Sequence, residues 1–292
     1  MVCNLLTTNK IFKTKKIMKK LLFGTIVTMF TLSALTSNAQ MKQGAYVGVN
    51  IGYSAAAGVA NFGGLQNETQ ISTTSFTVEN FKFSLGKGVN AGINLGYMFN
   101  ENIGFELGAQ YLIGGKTTAS EKQLNGNYQT TAFSSKMIQL KPTIVLATSM
   151  KNITPYAKFG MVIGSGKVLI NREEKSGSDL DVENFEFSKG MSIGFNAAIG
   201  VSFPINNNLS FSADINTINM QYSPKKGTMI KYTENGIDKL ASRSVRDKEI
   251  EFVKTKTYNS LTPSSSTLPT QTESVSLPFG SIGINIGVKY SF

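Results

Sequence analysis

The feature that most constrains the fold is the rhythm of the connections between segments in which apolar residues alternate with small or polar ones. Alternation of period two is typical of a β-strand with one apolar face, and none of these segments has a sustained helical period. Eight segments show it: 44–53, 88–99, 103–113, 136–148, 153–163, 192–203, 209–220 and 282–292. Their connections alternate between long (54–87, 114–135, 164–189, 221–277) and short (100–102, 149–152, 205–208).

This rhythm predicts an all-β fold, an eight-stranded antiparallel up-and-down transmembrane β-barrel with four long external loops. Such barrels have short turns at one end and long loops at the other. Strands of ~9–11 tilted residues span a bilayer, and closure pairs every backbone N–H and C=O group in lipid. We therefore expect the Ile, Val, Leu and Phe faces to point outward and the Gly, Asn and Ser faces inward.

Two sets of side chains follow from this register. Aromatic residues near the strand ends suit interfacial girdles: Tyr53, Tyr97, Phe99, Tyr111, Phe203, Tyr290 and Phe292. Five charged residues fall on the inward faces: Glu106, Lys141, Lys158, Asp214 and Lys289. An eight-stranded barrel has room only for side chains, and a buried unpaired charge is costly. We expect these five to form a lumen charge network, and we favour a structural plug over a gate or proton path.

The N-terminal segment has the organisation of a secretory signal peptide. Residues 1–39 contain six lysines and no acid, then an apolar run at 21–35, then Ser37-Asn38-Ala39. A basic region, a short apolar run and a small-x-small site define such a signal, and this run is too short to span a bilayer. We predict cleavage after Ala39, with Met18 as an alternative true start, leaving 40–292 as one barrel domain. The net charge of +11 then falls to +5 without those lysines, which weakens a nucleic-acid interpretation.

The composition argues against enzymatic chemistry. The chain contains no His, which removes the commonest general base and metal ligand. The only cysteine, Cys3, precedes the predicted cleavage site. The densest acids, Glu173-Glu174 and Asp179-x-Asp181-x-Glu183, favour a solvated acidic loop over a weak Ca²⁺ site. We expect no catalytic residue, no cofactor and no metal.

The long connections contain further patterns. Val78–Phe83 (VENFKF) recurs as Val182–Phe187 (VENFEF), which suggests two four-stranded halves and β-structure protruding above the second and sixth strands. In the longest connection, 228–233 and 249–258 are candidates for an external hairpin, or for two more strands of the barrel sheet. Residues 261–276, rich in Ser, Thr and Pro, are expected to be flexible. Lys225 and Lys226 are candidates for contact with lipopolysaccharide phosphates.

The whole chain after residue 39 resembles small outer-membrane β-barrel proteins of the OmpA/OmpX type, also called porin-family outer-membrane proteins. The resemblance rests on the Ser37-Asn38-Ala39-Gln40 signal ending, the eight alternating segments and the terminal Val288–Phe292 (VKYSF). It implies a Gram-negative outer membrane, with Bacteroidetes suggested by the signal, and both termini in the periplasm. It also implies that Tyr290 and Phe292 are read by the barrel-assembly machinery.

Three hypotheses on function remain. The first is a non-enzymatic barrel with a structural or surface-interaction role, a charged plugged lumen and loops available to extracellular partners. The second is a narrow porin-like pore for small solutes, which the Gly-rich inward faces favour. The third, less favoured, is a secreted lipocalin-like ligand carrier, which requires apolar residues inside and polar ones outside.

Overall fold

The computed structural model describes residues 43–58, 66–148, 150, 152–256 and 265–292. The predicted signal peptide, the alternative start Met18 and Cys3 lie outside these residues.

Strands make up most of the described chain. They are β1 Gly44–Ala56, β2 Gln66–Gln70, β3 Phe76–Asn80, β4 Gly88–Met98, β5 Ile103–Gly114, β6 Thr117–Lys122, β7 Tyr128–Ala147, β8 Thr154–Ser176, β9 Asp179–Ser188, β10 Met191–Pro204, β11 Leu209–Ser223, β12 Lys226–Glu234, β13 Ile237–Asp238, β14 Glu249–Val253, β15 Thr270–Glu273, β16 Leu277–Pro278 and β17 Ser281–Ser291. A 3₁₀ turn, Leu240–Ser242, and a short helix α1, Val245–Lys248, connect β13 to β14. No helix in the described part of the chain is long and apolar enough to cross a membrane.

Eight of these strands close into a ring. Its order is β1, β4, β5, β7, β8, β10, β11 and β17, and β17 pairs back onto β1. Every pairing is antiparallel, and each strand pairs with the ring strands before and after it in the chain. The predicted eight-stranded up-and-down barrel is confirmed. The described strands of the 221–277 connection beyond the end of β11, which are β12 to β15, do not insert into the ring, so the ten-stranded alternative is wrong for the described residues.

The two faces of the barrel follow the predicted register. Outward Ile51, Phe159 and Ile199 are 58–66% exposed, whereas inward Asn90 and Gln139 are each 3% exposed. From the turn end up to Lys136 and Lys167, the outward positions of the eight strands carry no charge. This apolar outer surface contradicts the lipocalin-like carrier, which requires a polar exterior.

Two of the short turns use the same asparagine chemistry. Asn100 Oδ1 accepts hydrogen bonds from the backbone N–H groups of Asn102 and Ile103, both at 2.8 Å. Asn206 Oδ1 does the same for Asn208 and Leu209 at 3.0 and 2.8 Å. This Asx geometry replaces strand hydrogen bonds where the chain reverses. We call this the turn end of the barrel and the opposite one the loop end.

At the loop end the long connections extend the barrel wall as a sheet rather than as open loops. Its order is β3, β2, β6, β7, β8, β9, β12, β14 and β15, and we call it the loop-end sheet. The predicted protruding β-structure is present for Val182–Phe187, which lies in β9, but only in part for the first copy. Val78–Asn80 lies in β3, whereas Phe81 and Phe83 are buried in the apolar core at this end of the barrel. Strands β12 and β14 pair antiparallel at Lys226–Thr228 and Glu249–Glu251, so the predicted hairpin of 228–233 with 249–258 meets only at Thr228 and Glu249. The rest of β12 pairs with β9, and residues 257–258 lie outside the described residues.

Two expectations about this region need correction. The expected flexible stretch 261–276 contains β15, which pairs in parallel with β14, because polar Thr and Gln side chains still permit a backbone ladder at a sheet edge. Residues 261–264 lie outside the described residues. The expected acidic loop is a hairpin of β8 and β9, with Glu173, Glu174, Asp179, Asp181 and Glu183 on its strands. Among the described residues no group of three acids is placed to hold a metal ion.

Candidate functional site: the lumen and the loop-end sheet

Two similar arrangements of tyrosine, glycine and carboxylate lie inside the barrel. Tyr46 pairs across strands with Gly96, and Gly96 pairs with Glu106. A Cβ built on Gly96 would collide with the Tyr46 ring, so the glycine lets the ring cross its strand. The Tyr46 hydroxyl reaches over it to donate to Glu106 Oε2 at 2.8 Å. The first arrangement thus joins the first, second and third ring strands.

The second arrangement repeats the first four ring strands further on. Tyr156 pairs with Gly200, and Gly200 pairs with Asp214. The Tyr156 hydroxyl donates to Asp214 Oδ2 at 2.9 Å, and Asn285 Nδ2 donates to Oδ1 at 2.9 Å. The barrel therefore has two related four-stranded halves, which agrees with the repeat seen in the sequence.

The three lumen lysines break this symmetry. Lys158 Nζ lies 2.7 Å from Glu106 Oε1, an ion pair that joins the two halves. Lys141 Nζ donates to Gln110 Oε1. Lys289 Nζ lies 4.4 Å from the centre of the Tyr46 ring and has no hydrogen-bond acceptor among the described residues. The position that Lys158 occupies in the second half is occupied by Gly48 in the first half. Glu106 therefore forms an ion pair with Lys158, whereas Asp214 has no lysine at the corresponding place.

Apolar side chains lie on both sides of these charges. At the turn end is a cluster of five residues, the turn-end cluster: Tyr46, Met98, Val145, Ala147 and Tyr156. At the other side is a larger one, the loop-end cluster: Phe81, Phe83, Leu85, Leu112, Ala119, Phe133, Met137, Val162, Val168, Ile218, Met220, Tyr222, Leu277 and Phe279. The charged layer therefore lies between two layers of buried apolar side chains.

The loop-end cluster is built by two chain segments that fold into the barrel mouth. Phe83 and Phe279 are 1% and 0% exposed. Leu85 N–H donates to Pro278 O at 2.8 Å, so the two segments bind each other. Ser135 Oγ donates to Leu85 O at 2.8 Å and anchors the first segment to β7. The mouth is closed by packed side chains and satisfied backbone groups.

The charged layer surrounds a small cavity. All five predicted lumen charges line it, together with Tyr46, and its volume is about 60 Å³. At ~10–15 Å³ per water-sized position, such a cavity holds only a few waters. The arrangement provides a compact polar chamber between the two apolar clusters.

The other predicted site residues lie at the two ends of the barrel. Lys225 is exposed, while Lys226 Nζ lies 3.0 Å from Glu249 Oε2, so part of its charge is already balanced. Tyr290 and Phe292 point outward, with exposures of 44% and 65%, and their rings meet edge to face at 5.3 Å. Phe292 N–H donates to Ala45 O at 3.0 Å, which fixes the C-terminus against the start of β1.

The loop-end sheet carries polar contacts on one side and an apolar groove on the other. The hydrogen bond from the Tyr128 hydroxyl to the Glu173 carboxylate raises the pKa of Tyr128. In α1, the hydrogen bond from the Ser244 hydroxyl lowers the pKa of Asp247. The groove is lined by Gln129, Thr131, Phe133, Ile170, Arg172, Phe187, Ile250, Phe252, Thr272 and Val275.

Sequence reasoning missed the two lumen tyrosines. It assigned aromatic residues to lipid-facing girdles and did not single out Tyr46 or Tyr156. A signal was present, because both lie on the same period-two face as Gly48 and Gly160, opposite the Ile and Val face. It also missed the loop-end cluster, because residues 81–85 and 277–279 lie outside the alternating segments.

The closed ring, its uncharged apolar exterior and its filled polar lumen define a small transmembrane β-barrel. Residues 25–239 match the family model described as "Outer membrane protein beta-barrel domain", and the chain belongs to this family. Its members are barrels of the Gram-negative outer membrane. Comparison with curated protein sequences gives no match.

Solved structures give weak overall similarity. Neisserial surface protein A is 11% identical, with a TM-score of 0.36 over 86% of this chain and 98% of that one. Ail, the attachment invasion locus protein of Yersinia pestis in complex with the heparin analogue sucrose octasulfate, is 12% identical, with a TM-score of 0.32 over 86% and 100%. The outer membrane protein AlkL is 14% identical, with a TM-score of 0.29 over 88% and 94%.

Proposed function

We propose that this protein is a non-enzymatic outer-membrane barrel with a closed lumen that presents its loop-end sheet to partners outside the cell. The observation that carries the proposal is the enclosure of the charged layer between the two apolar clusters. A pore requires water along its axis, whereas Phe83, Leu277 and Phe279 are each at most 1% exposed. The barrel then serves as a membrane anchor for the loop-end sheet.

The sheet itself supports a role in surface interaction. The β2–β3 hairpin exposes Ile71, Phe76 and Val78 at 62%, 60% and 41%. Among the described residues β3 pairs with β2 along one edge and with no strand along the other, so its backbone groups are available for strand addition by an extended peptide. We therefore expect a protein partner at this hairpin.

Planar-bilayer recording tests the closed lumen. We expect the wild-type barrel to give no steady conductance. Replacing Phe83 and Phe279 together by Ser removes two fully buried rings of the mouth, one from each segment that folds into it, and we expect brief openings to appear. The matched control is Phe76→Ser, which changes an exposed phenylalanine in the same connection and leaves the recordings unchanged.

The narrow pore is the second candidate, favoured by the cavity within the charged layer and by the inward glycines. A steady wild-type conductance, together with uptake of small solutes by liposomes that contain the barrel, would establish the pore and refute the closed lumen.

We further propose contact between Lys225 and lipopolysaccharide. Lys225 is exposed just beyond the end of β11, where headgroup phosphates would lie if the loop end faces outward. Thermal stability of the reconstituted barrel with and without lipopolysaccharide tests this. We expect Lys225→Ala to reduce the stabilisation by lipopolysaccharide more than Lys226→Ala does, since Glu249 already pairs with Lys226.

A further inference from the structure

The lumen contains one more cation than carboxylates. Lys141, Lys158 and Lys289 face Glu106 and Asp214 around a single cavity, and its other lining residues are uncharged. With all five groups ionised, the cavity carries one net positive charge. A buried charge without a counter-charge is costly, because the protein interior solvates it poorly.

Lys289 is the lumen lysine that has neither an ion pair nor a hydrogen bond through Nζ with any described residue. Lys158 is bound to Glu106, and Lys141 to Gln110. Lys289 is 7% exposed, and its Nζ is buried without a hydrogen-bond acceptor among the described residues. The rings of Tyr46 and Tyr156, with centres 4.4 and 5.7 Å away, attract the ammonium group but do not neutralise it.

Space beside Lys289 is left by a glycine. Gly48 pairs with Lys289 across strands, and a Cβ at that position would come within 3.9 Å of the Lys289 Cβ. In the other half of the barrel the matching position holds Lys158. The lumen therefore has the cation Lys158 in the second half and only a glycine, Gly48, at the corresponding position in the first half.

We propose that the lumen binds one small monovalent anion, of the size of chloride, beside Lys289. One such ion brings the net charge of the cavity to zero, whereas a divalent oxyanion would leave it negative. The cavity volume of about 60 Å³ is suited to a halide and a few waters. Asn94, Asn196 and Asn216 also line the cavity. Because Asn216 Oδ1 and Asn285 Oδ1 are buried without a hydrogen-bond donor among the described residues, the waters beside the ion also serve these two acceptors.

Urea unfolding of the refolded full-length barrel in detergent provides the first test. Folded and unfolded forms are counted by unboiled gel mobility in sodium chloride and in sodium gluconate of equal ionic strength, because gluconate is too large for the cavity. We expect chloride to stabilise the barrel, with the folded-to-unfolded ratio rising up to tenfold for each tenfold increase in chloride once the site is saturated. Equal stability in the two salts would refute the proposal.

Variants locate the effect. Lys289→Met leaves two cations and two carboxylates, so we expect its stability to be the same in chloride and in gluconate. Lys116→Met, an exposed lysine at the loop end, serves as the matched control and keeps the full chloride dependence. If Lys289→Met does not fold, Lys141→Met is used in its place, because it also leaves two cations and two carboxylates in the cavity. A balanced variant that keeps the chloride dependence would show that the ion binds elsewhere.

Anomalous diffraction from crystals grown in sodium bromide gives the direct answer. We expect one bromide peak inside the barrel, close to Lys289 Nζ, and its loss in Lys289→Met. Bromide peaks confined to the outer surface, or water alone beside Lys289, would overturn the proposal. Steady conductance in planar bilayers would refute the closed lumen but would leave a bromide peak beside Lys289 unexplained by any other site. The closed lumen and the anion site can therefore be refuted independently.

Discussion

At the residue scale, the ion pair between Glu106 and Lys158 is the contact with the largest expected effect on stability. Their side chains are 6% and 13% exposed, and the pair joins the two halves of the barrel. Glu106→Gln leaves a buried ammonium group without a counter-charge, and we expect a loss of about 3–5 kcal/mol in the free energy of unfolding. Urea titration of the refolded barrel measures it.

A surface pair provides the control for this prediction. Lys167 and Glu186 lie 2.9 Å apart on the loop-end sheet, with side-chain exposures of 58% and 25%. We expect Glu186→Gln to change stability by less than about 1 kcal/mol, because exposed pairs contribute little. The double variant Glu106→Gln/Lys158→Met should recover part of the loss. Equal effects of the two Glu→Gln changes would contradict a buried network.

Tyr128 gives a prediction that depends on pH. Its hydrogen bond to Glu173 raises the pKa of the phenol in the folded protein, so the contact stabilises the fold below the unfolded pKa of about 10. That stabilisation is lost as the pH rises through the higher folded pKa. The ionisation of Tyr128 is measured by phenolate absorbance as a function of pH, with the titration of Tyr128→Phe subtracted from that of the wild type. We expect Glu173→Gln to return the pKa of Tyr128 towards its ordinary value.

The five lumen charges show how far sequence could reach at this scale. A period-two register places Glu106 and Lys158 inside without any knowledge of their partners. It does not say that Lys158 pairs with Glu106 rather than with Asp214, because that choice depends on strand stagger around the closed ring. The two tyrosine hydroxyls depend on the same stagger, which brings each ring across a glycine.

At the scale of elements, the turn asparagines define where the barrel strands end. We expect Asn100→Ala and Asn206→Ala each to lower the free energy of unfolding by about 1 kcal/mol, because each removes an acceptor for two backbone N–H groups. Asn207→Ala, at the apex of the second turn, is the control and should be neutral. The same urea titration compares the three variants, and a neutral Asn100→Ala would argue against the Asx turn.

The strands of the ring were predictable and those of the loop-end sheet largely were not. A lipid-facing strand must alternate over its whole length, so its period is visible in a single segment. The strands β2, β3, β14 and β15 have only four or five residues each, too few to show a sustained period, and β2 and β14 also pair with β6 and β12, which are not their neighbours in the chain. Thr270–Glu273 reads as flexible in isolation, and it forms a strand only because β14 offers an edge.

At the scale of the whole molecule, orientation in the membrane is the next question. The chain after the predicted cleavage site has no cysteine, so single cysteines report position cleanly. Thr74→Cys lies in the β2–β3 hairpin and Asn207→Cys at the turn end, and both sites are exposed. We expect a membrane-impermeant maleimide to label the first on intact cells and the second only after lysis. The reverse result would place the loop end in the periplasm.

The C-terminal strand β17 closes the barrel, and Tyr290 and Phe292 at its end are the predicted signal for the assembly machinery. Phe292 is 65% exposed and β17 closes the ring between β11 and β1, so its outward ring adds little to the folded core. If the assembly machinery reads this residue, Phe292→Ala should leave refolding in detergent unchanged while lowering the amount of heat-modifiable barrel in the outer membrane several-fold. Phe99→Ala, another outward phenylalanine beside a short turn with 56% exposure, is the matched control and should assemble normally. Equal losses for both variants would indicate that an interfacial ring is needed for stability, and that the C-terminal residue carries no separate signal.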